Sequence, residues 1–130
     1  MINFEQLERN IEKYKNEFKN AVPYEHIVID NFCEDSTSML RTLESLPSPG
    51  EIKANTSRDF IFAKNKFESS DFDRFSPSFA QIKKDLLSDR FSSFLRNLIG
   101  EEVFVDPQFH GGGLHQGGAG SYLNMHADFN

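Results

Sequence analysis

The last nine residues, Tyr122-Leu123-Asn124-Met125-His126-Ala127-Asp128-Phe129-Asn130, alternate in a way that the rest of the chain does not. In a β-strand, side chains two residues apart share a face. The alternation predicts a strand with one apolar face and one polar face, and the polar face carries Tyr122, Asn124, His126 and Asp128. An imidazole and a carboxylate two residues apart can occupy adjacent positions around one metal ion. His126 and Asp128 are therefore candidates for two of the three ligands in a two-His, one-carboxylate set, with the second histidine coming from elsewhere.

The His-x-Asp pair alone is weak evidence for a metal site. Four histidines and nine aspartates among 130 residues give about 0.3 such pairs by chance. The alternative is a surface histidine and aspartate on a polar strand face. The surroundings favour the metal site, because a long helix precedes the pair and six of the 8 glycines lie between Gly111 and Gly120, next to the strand.

Two runs of residues carry a resemblance to a known family: DPQFHGGGLHQ (residues 106–116) and GSYLNMHADFN (residues 120–130). Together they resemble the iron-binding segment of bacterial Fe(II)/2-oxoglutarate oxygenases of the prolyl 4-hydroxylase-like group. The run PYEHIVIDNF (residues 23–32) is similar to the strand with which such domains begin. The resemblance rests mainly on residues 106–130, because the helices between the two ends agree in order and have no motif of their own.

The resemblance implies a fold, a reaction and two iron ligands. The fold is α+β: the N-terminal part of a double-stranded β-helix (jelly roll) with helices packed on the outside. The reaction is hydroxylation of a substrate carbon, with Fe(II) as cofactor, 2-oxoglutarate as cosubstrate and dioxygen as oxidant. The first two iron ligands are His126 and Asp128. The substrate is a small molecule or a peptide, and prolyl residues are one possibility.

The chain departs from the family pattern after Asp128. Members of the family carry a second histidine ligand well downstream, followed by an Arg or Lys that pairs with the distal carboxylate of 2-oxoglutarate, and no His or Arg follows Asp128 here. We therefore expect residues 1–130 to be a single, truncated oxygenase-like domain that is inactive alone. The alternative function is a non-enzymatic interaction or assembly domain with an incomplete metal site.

Other polar residues near the motif are candidates for cofactor contacts. Tyr122 and Asn124 share the predicted ligand face, although a cross-strand packing or hydrogen-bonding pair explains them equally well. Gln116, with His115, lies where similar enzymes often contact 2-oxoglutarate, and an ordinary polar loop is the alternative. His110 before three glycines is typical of an esterase oxyanion loop, but no Gly-x-Ser-x-Gly nucleophile motif is present. The glycines match no nucleotide-binding pattern, so they predict a tight turn with positive φ that leads into the strand.

The rest of the chain predicts helices joined by short strands. Apolar residues at three- and four-residue steps predict an amphipathic helix over residues 2–20, with dimerisation as an alternative to packing on its own sheet. A second helix follows Asp35 or Ser36, and a third runs from Ser76 and Pro77 to Gly100. Predicted strands cover residues 26–32, 59–63 and 103–105. The 14 phenylalanines are expected to be packing residues.

Composition excludes several classes of protein. No apolar run approaches the ~18 residues of a membrane-spanning helix, and the charged first twenty residues contain no export signal. Fourteen basic against 20 acidic residues give a net charge of −6, so nucleic acid is not expected as a partner. The single cysteine, Cys33, cannot form an internal disulfide and is expected to fill the core. We expect a cytoplasmic protein, and the sequence does not predict its oligomeric state.

Overall fold

The computed structural model describes residues 1–48, 50–52, 63–110 and 112–125. These residues form five α-helices and a two-stranded antiparallel sheet, which confirms the α+β class. The helices are α1 (Phe4–Arg9), α2 (Ile11–Asn20), α3 (Ser36–Glu44), α4 (Pro77–Leu86) and α5 (Asp89–Ile99). The strands are β1 (Ala63–Ser69) and β2 (Leu114–Leu123), and a short 3₁₀ helix spans Phe72–Arg74. Within the described ranges, no helix is long and apolar enough to cross a membrane.

The core lies between the N-terminal helices and α5. Its buried members are Ile2, Leu7, Tyr14, Phe91, Phe94 and Leu98. The extended segment 27–32 lies against the same cluster through Ile27, Ile29 and Phe32. Because each fully buried large apolar side chain contributes about 1.5–3 kcal/mol, this cluster is the main source of stability in the helical part. Most described phenylalanines pack as predicted, but Phe104 is exposed.

Both long predicted helices are interrupted. The helix predicted over residues 2–20 divides at Asn10, whose side-chain amide donates to the Gln6 carbonyl at 2.9 Å. The helix predicted from Ser76 to Gly100 divides at Leu87 and Ser88, where the Ser88 hydroxyl accepts from the Phe91 amide and donates to the Asp85 carbonyl. At the first break, the Asn10 side chain bonds back to α1 and makes no capping hydrogen bond to α2, whereas at the second break the Ser88 hydroxyl caps α5. The predicted end is confirmed, since Gly100 follows α5 with φ 85°.

Two predicted strands are not strands. Residues 26–29 and 103–105 are extended, but they form no ladder with the other described residues. The one bridge near the first segment joins Ile2 to Cys33. These segments are held in place by alternate apolar side chains that pack on the helices. A strand-like sequence pattern is the same whether a segment packs on helices or pairs with another strand. Of the third predicted strand, residues 59–62 lie outside the described residues and Ala63 begins β1.

The N-cap of α4 offers a direct test of local stability. The Ser76 hydroxyl accepts from the Phe79 amide at 3.3 Å and from the Ser45 hydroxyl at 3.0 Å. Ser76→Ala should lower the free energy of unfolding by about 1 kcal/mol, because the amide loses its capping acceptor. Urea unfolding followed by circular dichroism measures the change. Ser92→Ala inside α5 is the matched control, and an equal loss in both variants would contradict a capping role for Ser76.

Candidate functional site

The glycine-rich segment was predicted to form a turn that leads into the strand. In the structure, this segment forms much of strand β2 itself. Gly113 has φ 107°, and a Cβ there would clash with the Ser69 carbonyl, so the predicted positive-φ turn is confirmed at this position. The strand then starts at Leu114, eight residues before the predicted start at Tyr122. A Cβ at Gly117 would clash with the Ser121 side chain of the same strand, whereas a Cβ at Gly118 would be in ordinary contact with Phe67 of β1.

A large bulge divides β2 into two paired parts. Leu114–Gly117 pair with Lys66–Ser69, and Tyr122 and Leu123 pair with Lys64 and Ala63. Between them, residues 118–121 face the single residue Asn65, which has φ 51° and donates to the Ala119 carbonyl at 3.0 Å. The bulge separates Gln116 from Tyr122, so these two candidates do not lie on one uninterrupted strand face.

The side chain of Gln116 is hydrogen-bonded to the backbone at Pro47. Its Nε2 donates to the Pro47 carbonyl at 2.9 Å, while its Oε1 is buried and has no hydrogen-bond partner among the described residues. An unpaired carbonyl oxygen requires a donor, and the ionised carboxylates of 2-oxoglutarate offer none. Contact of Gln116 with 2-oxoglutarate would therefore use the second hydrogen of Nε2.

The other predicted cofactor residues lie at the end of β2. Tyr122 is the strand's penultimate residue, and Asn124 follows the strand; both are exposed. Leu123 and Met125, which belong to the predicted apolar face, are exposed as well, and Met125 is 98% exposed. His115 is exposed and pairs in register with Glu68.

The predicted iron ligands His126 and Asp128 lie outside the described residues. Within the residues that the structure describes, no group of three or more His, Cys, Asp or Glu side chains is arranged to hold a metal ion. The two ligands therefore remain a prediction from sequence. Their chemistry suits Fe(II), because imidazole and carboxylate are the ligand types of non-haem iron sites.

The structure adds an Asp106–His110 pair at the start of the segment that resembles the oxygenases. The Asp106 carboxylate accepts from the backbone amides of Gln108 and His110, each at 2.9 Å, and from His110 Nδ1 at 2.7 Å. Phe109 anchors this turn through an edge contact with Phe72, 5.3 Å between ring centroids. An aspartate before proline, four residues from a histidine, is the signal by which sequence reasoning could have found the pair.

The Asp106–His110 pair presents one nitrogen of the imidazole to solvent. Because an ionised carboxylate accepts at Nδ1, the neutral ring carries its proton there, which leaves Nε2 as an acceptor on a side chain that is 82% exposed. A carboxylate-oriented imidazole of this kind can bind a metal ion or accept a proton. It supplies one ligand only, so by itself it does not form a metal site.

The turn should depend on pH through Asp106. Hydrogen bonds from the Gln108 and His110 amides hold the pKa of the Asp106 carboxyl below its ordinary value of 3.8. The pKa of this carboxyl is lower in the folded protein than in the unfolded chain. Its stabilisation of the turn is therefore complete at pH values above the ordinary pKa and is lost as the pH falls through the pKa of the folded state. We expect the His110 amide resonance in NMR to titrate with a midpoint below 3.8. Asp106→Asn should remove this titration, and a midpoint at or above the ordinary value would contradict the assignment.

Cys33 is a free cysteine that lies partly buried next to the N-terminal residues. The thiol is half-buried, and burial raises its pKa above the ordinary value of 9.0. Because the thiolate is the reactive form of cysteine, the raised pKa is consistent with a packing role at this position.

Comparison with protein-family models, with curated proteins and with solved structures finds no match to this chain.

Proposed function

We propose that this chain carries the first two iron ligands, His126 and Asp128, of a non-haem Fe(II)- and 2-oxoglutarate-dependent dioxygenase that hydroxylates a substrate carbon. The observation that supports the proposal is the spacing of His126 and Asp128 directly after a glycine-rich, antiparallel strand that ends at Leu123. Iron bound there would supply dioxygen activation, which side chains alone do not perform. A jelly-roll barrel is the fold expected for such an enzyme and belongs to the proposal.

In this proposal, the chain's own residues bind and orient. His126 and Asp128 would each contribute one ligand atom, and Tyr122 and Asn124 lie close enough in sequence to contact the cosubstrate or the substrate. Gln116 would contribute one N–H, since its other amide hydrogen is used by the Pro47 carbonyl. The substrate class is a small molecule or a peptide, with prolyl residues as one candidate.

The proposal requires a second histidine ligand and a basic partner for 2-oxoglutarate. The first experiment is therefore to read the gene past the codon for Asn130. A histidine followed by an Arg or Lys in an alternating strand pattern would support the oxygenase. The encoded protein, mixed without oxygen with Fe(II) and 2-oxoglutarate, should then show a visible charge-transfer absorption and release succinate when oxygen is admitted. A stop codon directly after Asn130 would overturn the proposal.

A second candidate function, an interaction or assembly domain, is favoured by exposed apolar side chains on one helix. Leu40 and Leu43 lie three residues apart on α3, and both are exposed. Both leucines lie on the helix that was predicted after Asp35 or Ser36, and the buried residue of this helix is Thr42. An interaction domain should tolerate alanine at His126 and Asp128, whereas an oxygenase should not.

A further inference from the structure

A polar cleft lies where α1 meets α2, far in sequence from the candidate iron ligands. Its volume is about 530 Å³, and the extended residues 28–31 form its opposite wall. This volume is within the range of small-molecule sites. None of the residues that line the cleft takes part in the proposed oxygenase function.

Gln6 ties the two walls of the cleft together. Its Nε2 donates to the Asp30 carbonyl at 2.7 Å on one wall and to the Tyr14 hydroxyl oxygen at 3.2 Å on the other. Both amide hydrogens are therefore used, and the walls are fixed relative to each other. A cleft whose walls are already fixed loses little freedom when a ligand binds.

The Tyr14 hydroxyl has a hydrogen to donate. Tyr14 is only 6% exposed, its oxygen accepts from Gln6, and it donates to no acceptor among the described residues. The hydroxyl oxygen already has a partner in Gln6, and the hydroxyl keeps one hydrogen that it can donate. Since Tyr14 lines the cleft, a ligand with an acceptor oxygen would satisfy it.

The charges that line the cleft are balanced but not all paired. Lys13 is paired with Glu17 at 3.7 Å. Arg9 and Asp30, which also line the cleft, form no ion pair with another described residue. A ligand that satisfies both would carry an anionic group for the guanidinium and a hydrogen-bond donor for the carboxylate.

We propose that this cleft binds a small carboxylic acid that carries an amine or a hydroxyl on the carbon next to the carboxylate. The carboxylate accepts from Arg9 and from the Tyr14 hydroxyl, and the amine or hydroxyl donates to Asp30. A dianion such as phosphate fits less well, because Lys13 is paired with Glu17, so Arg9 would face two negative charges beside Asp30. Binding in an open cleft should be weak, so NMR titration is the suitable method.

The test titrates the isotope-labelled full chain with L-alanine, L-lactate, propionate and inorganic phosphate, without iron. L-Alanine and L-lactate should shift the amide resonances of residues around the cleft. Propionate keeps the carboxylate but lacks the donor for Asp30, so it should bind about tenfold more weakly or worse. Failure of all four probes to shift these resonances, or tighter binding of propionate or phosphate, would overturn the proposal.

Two variants and one matched control complete the test. Arg9→Gln should weaken binding of L-lactate by about tenfold or more, and Tyr14→Phe by about three- to tenfold, because each removes one donor to the carboxylate. Arg41→Gln removes the basic residue from the last turn of α3, as Arg9→Gln does for α1, and should leave binding unchanged. Equal effects of the two arginine variants would contradict a specific role for Arg9. Iron is not needed for any of these measurements, so their failure would leave the oxygenase proposal untouched.

Discussion

His126→Ala and Asp128→Ala should each abolish Fe(II)-dependent turnover in the protein that carries this segment. Removing one of three ligands leaves too few to hold the ion, and even partners that only orient the ligands are worth 10–100-fold in metal affinity or activity. We therefore expect a loss of at least about a hundredfold in succinate release for either change. The charge-transfer absorption with 2-oxoglutarate should disappear in parallel.

His26→Ala and Asp71→Ala are matched controls for these two variants. Both residues are exposed, both lie outside residues 106–130, and each change removes the same chemical group. They should keep full activity and iron binding. Circular dichroism must show the same helix content in all four variants. Normal turnover in His126→Ala or Asp128→Ala would contradict the assignment of iron ligands and would favour the interaction domain.

Sequence periodicity predicted where the helices lie but not where they break. The apolar stripe continues through Asn10 and through Leu87 and Ser88, so hydrophobic spacing gives no sign of either break. Side-chain hydrogen bonds to the backbone mark both breaks, since Asn10 bonds back to the Gln6 carbonyl and Ser88 caps α5. Asparagine and serine also occur inside helices, so the residue type alone does not predict a break. Ser76, Pro77 and Gly100 were predicted correctly because their residue types have strong positional preferences.

Strand pairing was less predictable than helix formation. Residues 26–29 have the β-branched composition of a strand, yet they pack on helices without a ladder, whereas residues 114–117 in the glycine-rich segment do pair. Pairing depends on which segment lies opposite, and that information is not local. The bulge opposite Asn65 is a further non-local feature, since it requires a positive φ on β1 and four residues on β2.

The sequence predicted which residues belong to the candidate site but not how they are arranged in space. Sequence alternation made Tyr122 a candidate for cofactor contact and the resemblance made Gln116 one, but the bulge separates the two residues along β2. The Asp106–His110 pair was not predicted, because the sequence shows a four-residue spacing but not the turn that closes it. His126 and Asp128 were chosen from spacing and resemblance, and the iron-binding variants test that choice directly.

Leu7→Ala should produce a large loss of stability in the helical part. Leu7 is 0% exposed and belongs to the buried cluster between the N-terminal helices and α5. Truncating a fully buried leucine removes its transfer free energy and leaves a cavity, at a combined cost of about 2–5 kcal/mol. Since small domains are stable by only ~5–15 kcal/mol, this loss should be visible as a large shift in the urea midpoint.

Leu40→Ala is the matched control for Leu7→Ala, because the chemical change is identical and Leu40 is 59% exposed on α3. In the isolated chain, it should change the free energy of unfolding by less than about 1 kcal/mol, since a surface leucine loses little burial. If Leu40→Ala instead costs as much as Leu7→Ala, Leu40 must be covered in solution. That result would place a partner or a second copy of the chain on α3 and would strengthen the interaction-domain alternative. A small loss for Leu40 and a large one for Leu7 would show that α3 carries its leucines outward, as the structure describes.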